Sequence, residues 1–295
     1  MRTLAMIAAA LLTVGLSLPA RAEVDWTKVA QALGKSGTVT PSGVYRIGLP
    51  RTDLHVTLDG VGLKPALALG SWLAFKSTGS SAMVMGDLVL TEAEVSPVMM
   101  KLTEGGIEIT ALHNHLLRSS PNTMYMHVLG HGDPIKLAAA LHEALGASKT
   151  PLQAAAASSS PAPSIDLDTA AIDRTLGYKG KVNGGVYQVS VSRAQPVTDD
   201  GMTVPDAMGS AEAINFQPTG AGRAAIAGDF VLTANEVNPV LKTLRENGIE
   251  VTALHNHMLN DQPHVFFMHF WANGDVQKLA AGLRAALDKV AVARS

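Results

Sequence analysis

The chain has 295 residues, 47% of them hydrophobic and 16% charged, which is ample apolar material for one or two buried cores and excludes disorder throughout. With 23 basic against 25 acidic residues the formal net charge is −2, so neither nucleic acid nor an anionic membrane surface is expected as a partner. Cysteine is absent, which removes disulfides, thiolate metal sites and Cys nucleophiles; any metal has to be held by His, carboxylate or Met.

Arg2 precedes the apolar run Leu4 to Leu18, and Ala20-Arg21-Ala22 before Glu23 has the small-x-small pattern of a cleavage site. Residues 1–22 therefore read as a secretory signal. The run is short for a membrane span and no second stretch of about 18 apolar residues follows, so the expected product is periplasmic or secreted, without a transmembrane segment.

The rest of the chain is one unit written twice. The 48 residues from Gly86 to Asp133 recur from Gly228 at a constant offset of 142, with 26 identities and no gap. The register extends upstream, where Gly43-Val44-Tyr45 matches Gly185-Val186-Tyr187 and Arg51 matches Arg193. Each copy is domain-sized, giving a first repeat at 23–145 and a second at 165–295. Between them, 146–164 is rich in Pro, Ala and Ser without a hydrophobic period and reads as a linker.

Within the first copy, Ala82 to Leu90 predicts a strand, and Thr91 opens a helix whose apolar positions Val95, Val98, Met99 and Leu102 follow the i, i+3, i+4, i+7 spacing. Gly105-Gly106 stops it. Ile107 to Leu117 and Met124 to Leu129 predict two strands joined by a Pro-containing turn, and Asp133-Pro134 caps a second helix. The fold class is thus α+β: two tandem repeats, each a βαββα ferredoxin-like sheet with helices, packed as a pseudo-twofold pair because each sheet has apolar residues on both faces.

Six of the ten histidines fall at repeat-equivalent positions: His113, His115 and His127, then His255, His257 and His269. On a strand, His113 and His115 share one face. A hairpin centred near Ser120 sets His127 directly across from His113, and His269 across from His255. Three neutral imidazoles suit a divalent transition metal such as Zn, Cu or Fe. The alternative is that the same histidines are structural, hydrogen-bonded to backbone in a core. No nucleotide cofactor is expected.

The other recurring polar residues have simpler accounts. Thr91-x-x-Glu94 and Thr233-x-x-Glu236 have capping-box spacing. Glu108 and Glu250 lie on the face of the His strand opposite the His pair and read as solvated charges. Asp87 and Asp229 follow Gly and read as turn residues. Asn114 and Asn256 suit bonds to nearby backbone, and Arg51 and Arg193 either bind an anion or pair with an acid. The alternating Met83, Met85, Met124 and Met126 read as core filling, as does Trp271.

In ALHNH(L/M)L, then a Pro-containing turn and (Y/F)MH(V/F), the chain resembles the LppY/LpqO family of exported bacterial proteins, also known as domain of unknown function 1259. The words that carry the resemblance are His113-Asn114-His115 with Met126-His127, and His255-Asn256-His257 with Met268-His269. The resemblance implies an exported protein in two tandem copies and supplies no activity. Mycobacterial members look like lipoproteins, whereas this chain has no Cys to carry a lipid. The leading expectation is a periplasmic protein binding a divalent metal through its histidines in one or both repeats. The competing one is a non-catalytic module that binds a small ligand or envelope component. No G-x-S-x-G or H-E-x-x-H motif is present, and whether the protein is an enzyme stays open.

Overall fold

The computed structural model describes residues 24–153 and 164–294; the expected signal and the centre of the expected linker lie outside them. The first repeat opens with α1 (Trp26–Leu33), β1 (Thr38–Val39), β2 (Val44–Pro50), β3 (Thr57–Leu58), β4 (Val61–Gly62) and α2 (Pro65–Ala68). It continues through β5 (Gly70–Ser77), β6 (Ala82–Thr91), α3 (Glu92–Glu104), β7 (Glu108–His113), β8 (Thr123–Gly132) and α4 (Pro134–Gly146). The second begins with α5 (Thr169–Leu176), β9 (Lys181–Asn183), β10 (Val186–Val191), β11 (Val197–Asp199), β12 (Met202–Val204) and a 3-10 turn at Asp206–Met208. Its remainder is β13 (Glu212–Gly220), β14 (Arg223–Thr233), α6 (Ala234–Glu246), β15 (Glu250–His255), β16 (Asp261–Gln262), β17 (Val265–Asp275) and α7 (Val276–Leu287).

Each repeat forms a six-stranded sheet, ordered β1-β2-β5-β6-β8-β7 in the first and β9-β10-β13-β14-β17-β15 in the second. All adjacent strands in both sheets run antiparallel. The βαββα order read from periodicity is present as β6-α3-β7-β8-α4, and the strand beside β6 is β5, which precedes the unit in the chain. Two tandem ferredoxin-like α+β domains result.

Local chemistry sets the helix ends. Both capping boxes form, with Glu94 accepting from the Thr91 amide at 2.8 Å and Glu236 from that of Thr233 at 2.7 Å. Gly106 takes φ 72° just past α3, a left-handed position that glycine adopts without cost. Val98 and Leu102 are fully buried, and Val95 and Met99 pack beside them.

Strand β6 is buried along nearly its whole length because both of its faces are covered. Ala82, Val84, Leu88 and Leu90 point to the helices of their own repeat. Met83 and Met85 point the other way, into a core shared with Val231, Val265 and Phe267 of the second repeat. The molecule is therefore layered as helices, sheet, sheet, helices, and the inter-sheet seam covers the second face of β6, β8, β14 and β17.

Arg51 and Arg193 pair with acids. Arg51 is fully buried, donates to the Val89 carbonyl, and forks onto Glu94 (2.8 and 3.1 Å) and Asp53 (2.9 and 2.8 Å). Arg193 makes the equivalent contacts with the Val231 carbonyl and Glu236. Glu94 thereby caps α3 and ties it to the end of β2. Removing one partner strands a buried charge, so Arg51→Ala is expected to cost about 3–5 kcal/mol by urea denaturation. Lys101→Ala, which breaks an exposed pair with Glu104, is expected to leave the midpoint unchanged.

Candidate metal centre

The six histidines come together at one place, the seam between the sheets. The ring of His113 stacks on that of His255 with centroids 3.4 Å apart. His115 lies 3.6 Å from His269, and His127 lies 3.7 Å from His257. These last two contacts are the same contact with the repeats exchanged, as a pseudo-twofold axis through the His113–His255 pair requires. Aromatic rings close the ends: Tyr125 stacks on His115 at 3.4 Å and Phe267 on His257 at 3.3 Å.

Two expectations about register are corrected. His113 pairs with Tyr125, and His127 stands across from Ala111 and Asp87. The hairpin is centred on Ser119 and not Ser120, and beyond Ala111 a bulge before Ile109 moves the ladder by one further residue. Strand β7 also ends at His113, so His115 is beyond it, in a bend where Asn114 accepts from the Leu116 amide at 2.8 Å. The rings of His113 and His127 still meet, with their Nε2 atoms 2.9 Å apart.

The groupings also differ from one trio per repeat. Two sets of four imidazoles have ligand atoms within 4.8 Å of one another, His113/His115/His255/His269 and His113/His127/His255/His257. Each takes two residues from each repeat, the two are related by the pseudo-twofold, and both contain His113 and His255. A tetrahedral set of nitrogens around Zn has edges of about 3.3 Å at the usual bond length of about 2.0–2.1 Å, within reach of side-chain adjustment from this spacing.

Asp87 and Asp229 are part of this arrangement, which corrects their reading as turn residues. They sit mid-strand, facing His127 and His269 across the ladder. Asp87 groups with His115 and His127, and Asp229 with His257 and His269. The preceding glycines serve close strand packing: a Cβ at Gly228 would lie 1.8 Å from the Ala213 carbonyl oxygen, and one at Gly86 2.8 Å from that of Trp72. The Gly-Asp words recurred visibly in the sequence; their seat in the middle of a buried strand was the missing signal.

Burial controls the electrostatics. His113 is pulled down to about 3 by desolvation and then by His255, and His255 to about 4 by desolvation. The other four rings are pushed well below the ordinary histidine value by burial and by one another. Burial raises the carboxyls, Asp87 well above the usual range and Asp229 to about 7. At neutral pH the imidazoles carry free lone pairs, the form that ligates metals.

Their orientation suits ligation as well. His255 and His269 place Nδ1 on the carbonyls of Asn256 (3.0 Å) and Gly228 (3.1 Å), leaving Nε2 of each buried without a partner. Nε2 of His115 and His257 and Nδ1 of His113 are in the same condition. Metal-ligating histidines commonly have their second nitrogen fixed by a carbonyl in this way.

The remaining polar residues do other work. Asn256 bonds the carbonyls of Thr110 and Met258. Glu108 is exposed, and Glu250 pairs with Arg118 of the first repeat at 2.7 Å. Trp271 is core, its Nε1 on Asp59 of the other repeat at 2.9 Å. His131, whose counterpart is Asn273, groups with Asp199 and Asp200. Among the described residues no helix is long and apolar enough to cross a membrane.

The fold and seam define a duplicated α+β protein with clusters of His and Asp able to hold a metal ion. The family described as Domain of Unknown Function (DUF1259) matches residues 27–147 and again 170–289. The chain belongs to that family and carries two tandem copies of its domain. No curated protein matches it. Among solved structures it is similar to the trimeric bacterial microcompartment shell protein PduB, at 11% identity and a TM-score of 0.23 over 89% of this chain and 97% of that one. It is also similar to EtuB from Clostridium kluyveri, at 10% identity and 0.21 over 86% and 90%. Scores this low carry no argument about function.

The lowered histidine values predict a pH dependence. Below roughly 6.5 the unfolded chain takes up protons that the folded metal-free chain refuses until about 4, so these groups lower stability as pH falls through that window. Asp229 acts with the opposite sign, because its raised value favours the folded state at low pH. The histidine contribution is isolated by comparison with His113→Gln/His255→Gln. Between pH 7 and pH 4.5 the urea midpoint of the metal-free wild type is expected to fall further than that of the double variant.

Proposed function

We propose that this chain is an exported, periplasmic or secreted protein that holds a divalent transition metal, Zn, Cu or Fe, in the seam between its repeats. The ligands are drawn from His113, His115, His127, His255, His257 and His269. The observation that carries the reading is the set of five buried ring nitrogens without a hydrogen-bond partner. An unsatisfied buried polar atom costs about 1–3 kcal/mol, and a shared cation satisfies several of them at once. Imidazole is a suitable ligand for each of these metals. Export is supported by the charged, apolar and small-residue sequence of residues 1–22. The ion, when bound, supplies a Lewis acid or a stored cation.

The two quartets, related by the pseudo-twofold, share His113 and His255, so one ion per chain is the expected stoichiometry. Metal analysis of untagged, zinc-supplemented protein is expected to give about one ion per chain. His113→Ala/His255→Ala removes the pair common to both quartets and is expected to reduce the content below about one tenth. His115→Ala/His269→Ala leaves the second quartet whole, and its affinity is expected to stay within about tenfold of wild type. An intact protein that takes up no metal would identify the histidines as structural.

A further inference from the structure

A cavity of about 960 Å³ opens between the repeats and reaches the histidine cluster at His115, His257 and His269. It exists because small residues line it; a Cβ added at Gly48 on its wall would meet nothing within 4 Å. A space this size takes a small organic molecule.

The same cavity is lined by Arg46. Its guanidinium lies 4.3 Å over the Trp72 ring and makes one hydrogen bond, from Nη1 to the Ala207 carbonyl of the second repeat. Among the described residues no carboxylate lies within ion-pair distance of it. Burial lowers its pKa to about 10, with the Asp87 carboxylate, which lines the same cavity beyond ion-pair distance, acting in the opposite direction. The contrast with Arg51 is direct: that guanidinium is fully buried, and two carboxylates meet it. In the second repeat the equivalent position is Gln188, whose amide is engaged by Ala66 and Asn183, so the half-buried cation marks one end of the cavity only.

Sheet geometry sets the distance between the two features. Gly48, Trp72, Asp87 and His127 are direct cross-strand partners on one face. The backbones of Trp72 and His127 are two strand spacings apart, roughly 9–10 Å, and the guanidinium rests over the Trp72 ring at the far side of that span. A carboxylate matches the planar fork of Arg46 bidentately, and Trp72 backs the fork.

We infer that the cavity binds a small organic acid whose carboxylate pairs with Arg46 and whose far end presents a second oxygen to the histidine-held metal. At that spacing the acid has about four to seven carbons. This rests on the metal reading above for its far end and on Arg46 alone for its near end.

The test is calorimetric titration of the zinc-loaded full chain with the linear dicarboxylates from malonate to pimelate, with acetate and inorganic phosphate as short anions, and metal content measured on every sample. One or more diacids longer than malonate are expected to bind at least about tenfold tighter than acetate or phosphate. Arg46→Gln is expected to weaken that binding at least about tenfold with metal content unchanged. Gly48→Leu is expected to block it by filling the cavity, again with metal and far-UV circular dichroism preserved. No diacid binding, equal binding by Arg46→Gln, or equal binding of acetate and phosphate overturns the two-ended site. A chain that takes up no zinc yet binds a diacid through Arg46 overturns the metal reading and keeps the anion anchor.

Discussion

Each sheet has two apolar faces and only one layer of helices, and burial of the second face is the constraint on which the seam depends. Desolvation of Met83, Met85, Leu129, Val231 and Phe267 drives the sheets together. The cross-strand rows containing Asp87–His127 and Asp229–His269 lie on the same faces and are carried into the dry layer with them. Those polar groups are in low dielectric because their apolar neighbours require it, and the strong perturbation of their proton affinities follows from that placement.

Duplication supplies the second half of the arrangement. A single repeat would present its imidazoles on an open sheet face, at the ordinary solvation of a surface histidine. Two copies facing each other across a pseudo-twofold put His113 on His255 and bring each flanking ring against one from the other copy. Ligand sets that combine both repeats arise without either copy changing its own sequence. Glu94 and Glu236 stay outside the seam because each is engaged by a capping box and a buried arginine within its own repeat.

The copies diverge around this conserved centre. Arg46 faces the cavity where the other repeat has Gln188, and Trp271 fills core where the first has Leu129. Arg118 pairs with Asp59 of its own repeat and reaches across to Glu250 of the second, a surface tie with no counterpart at Asn260. The seam is therefore nearly symmetric in its imidazoles and asymmetric in its surroundings. Such a distribution allows an unsymmetrical ligand to bind in one orientation.

Much of the architecture was legible in the chain itself. The offset of 142 defined two domains, the Thr-x-x-Glu words located the starts of α3 and α6, and the recurrence of His113, His115 and His127 at 255, 257 and 269 selected the residues of the seam. These features are local or repeat at fixed spacing, and side-chain periodicity and capping chemistry act over a few residues. Three things depended on tertiary structure. The hairpin is centred on Ser119 and not on Ser120, which changed the residue facing His127 from His113 to Ala111, because a one-residue difference in the turn moves every pair of the ladder. Asp87 and Asp229 became part of the site only when β6 and β14 proved to be central strands buried on both faces. The meeting of imidazoles from opposite repeats joins residues some 140 positions apart, and no short-range pattern encodes such a contact. It is decided by which sheet face remains uncovered once the helices have packed.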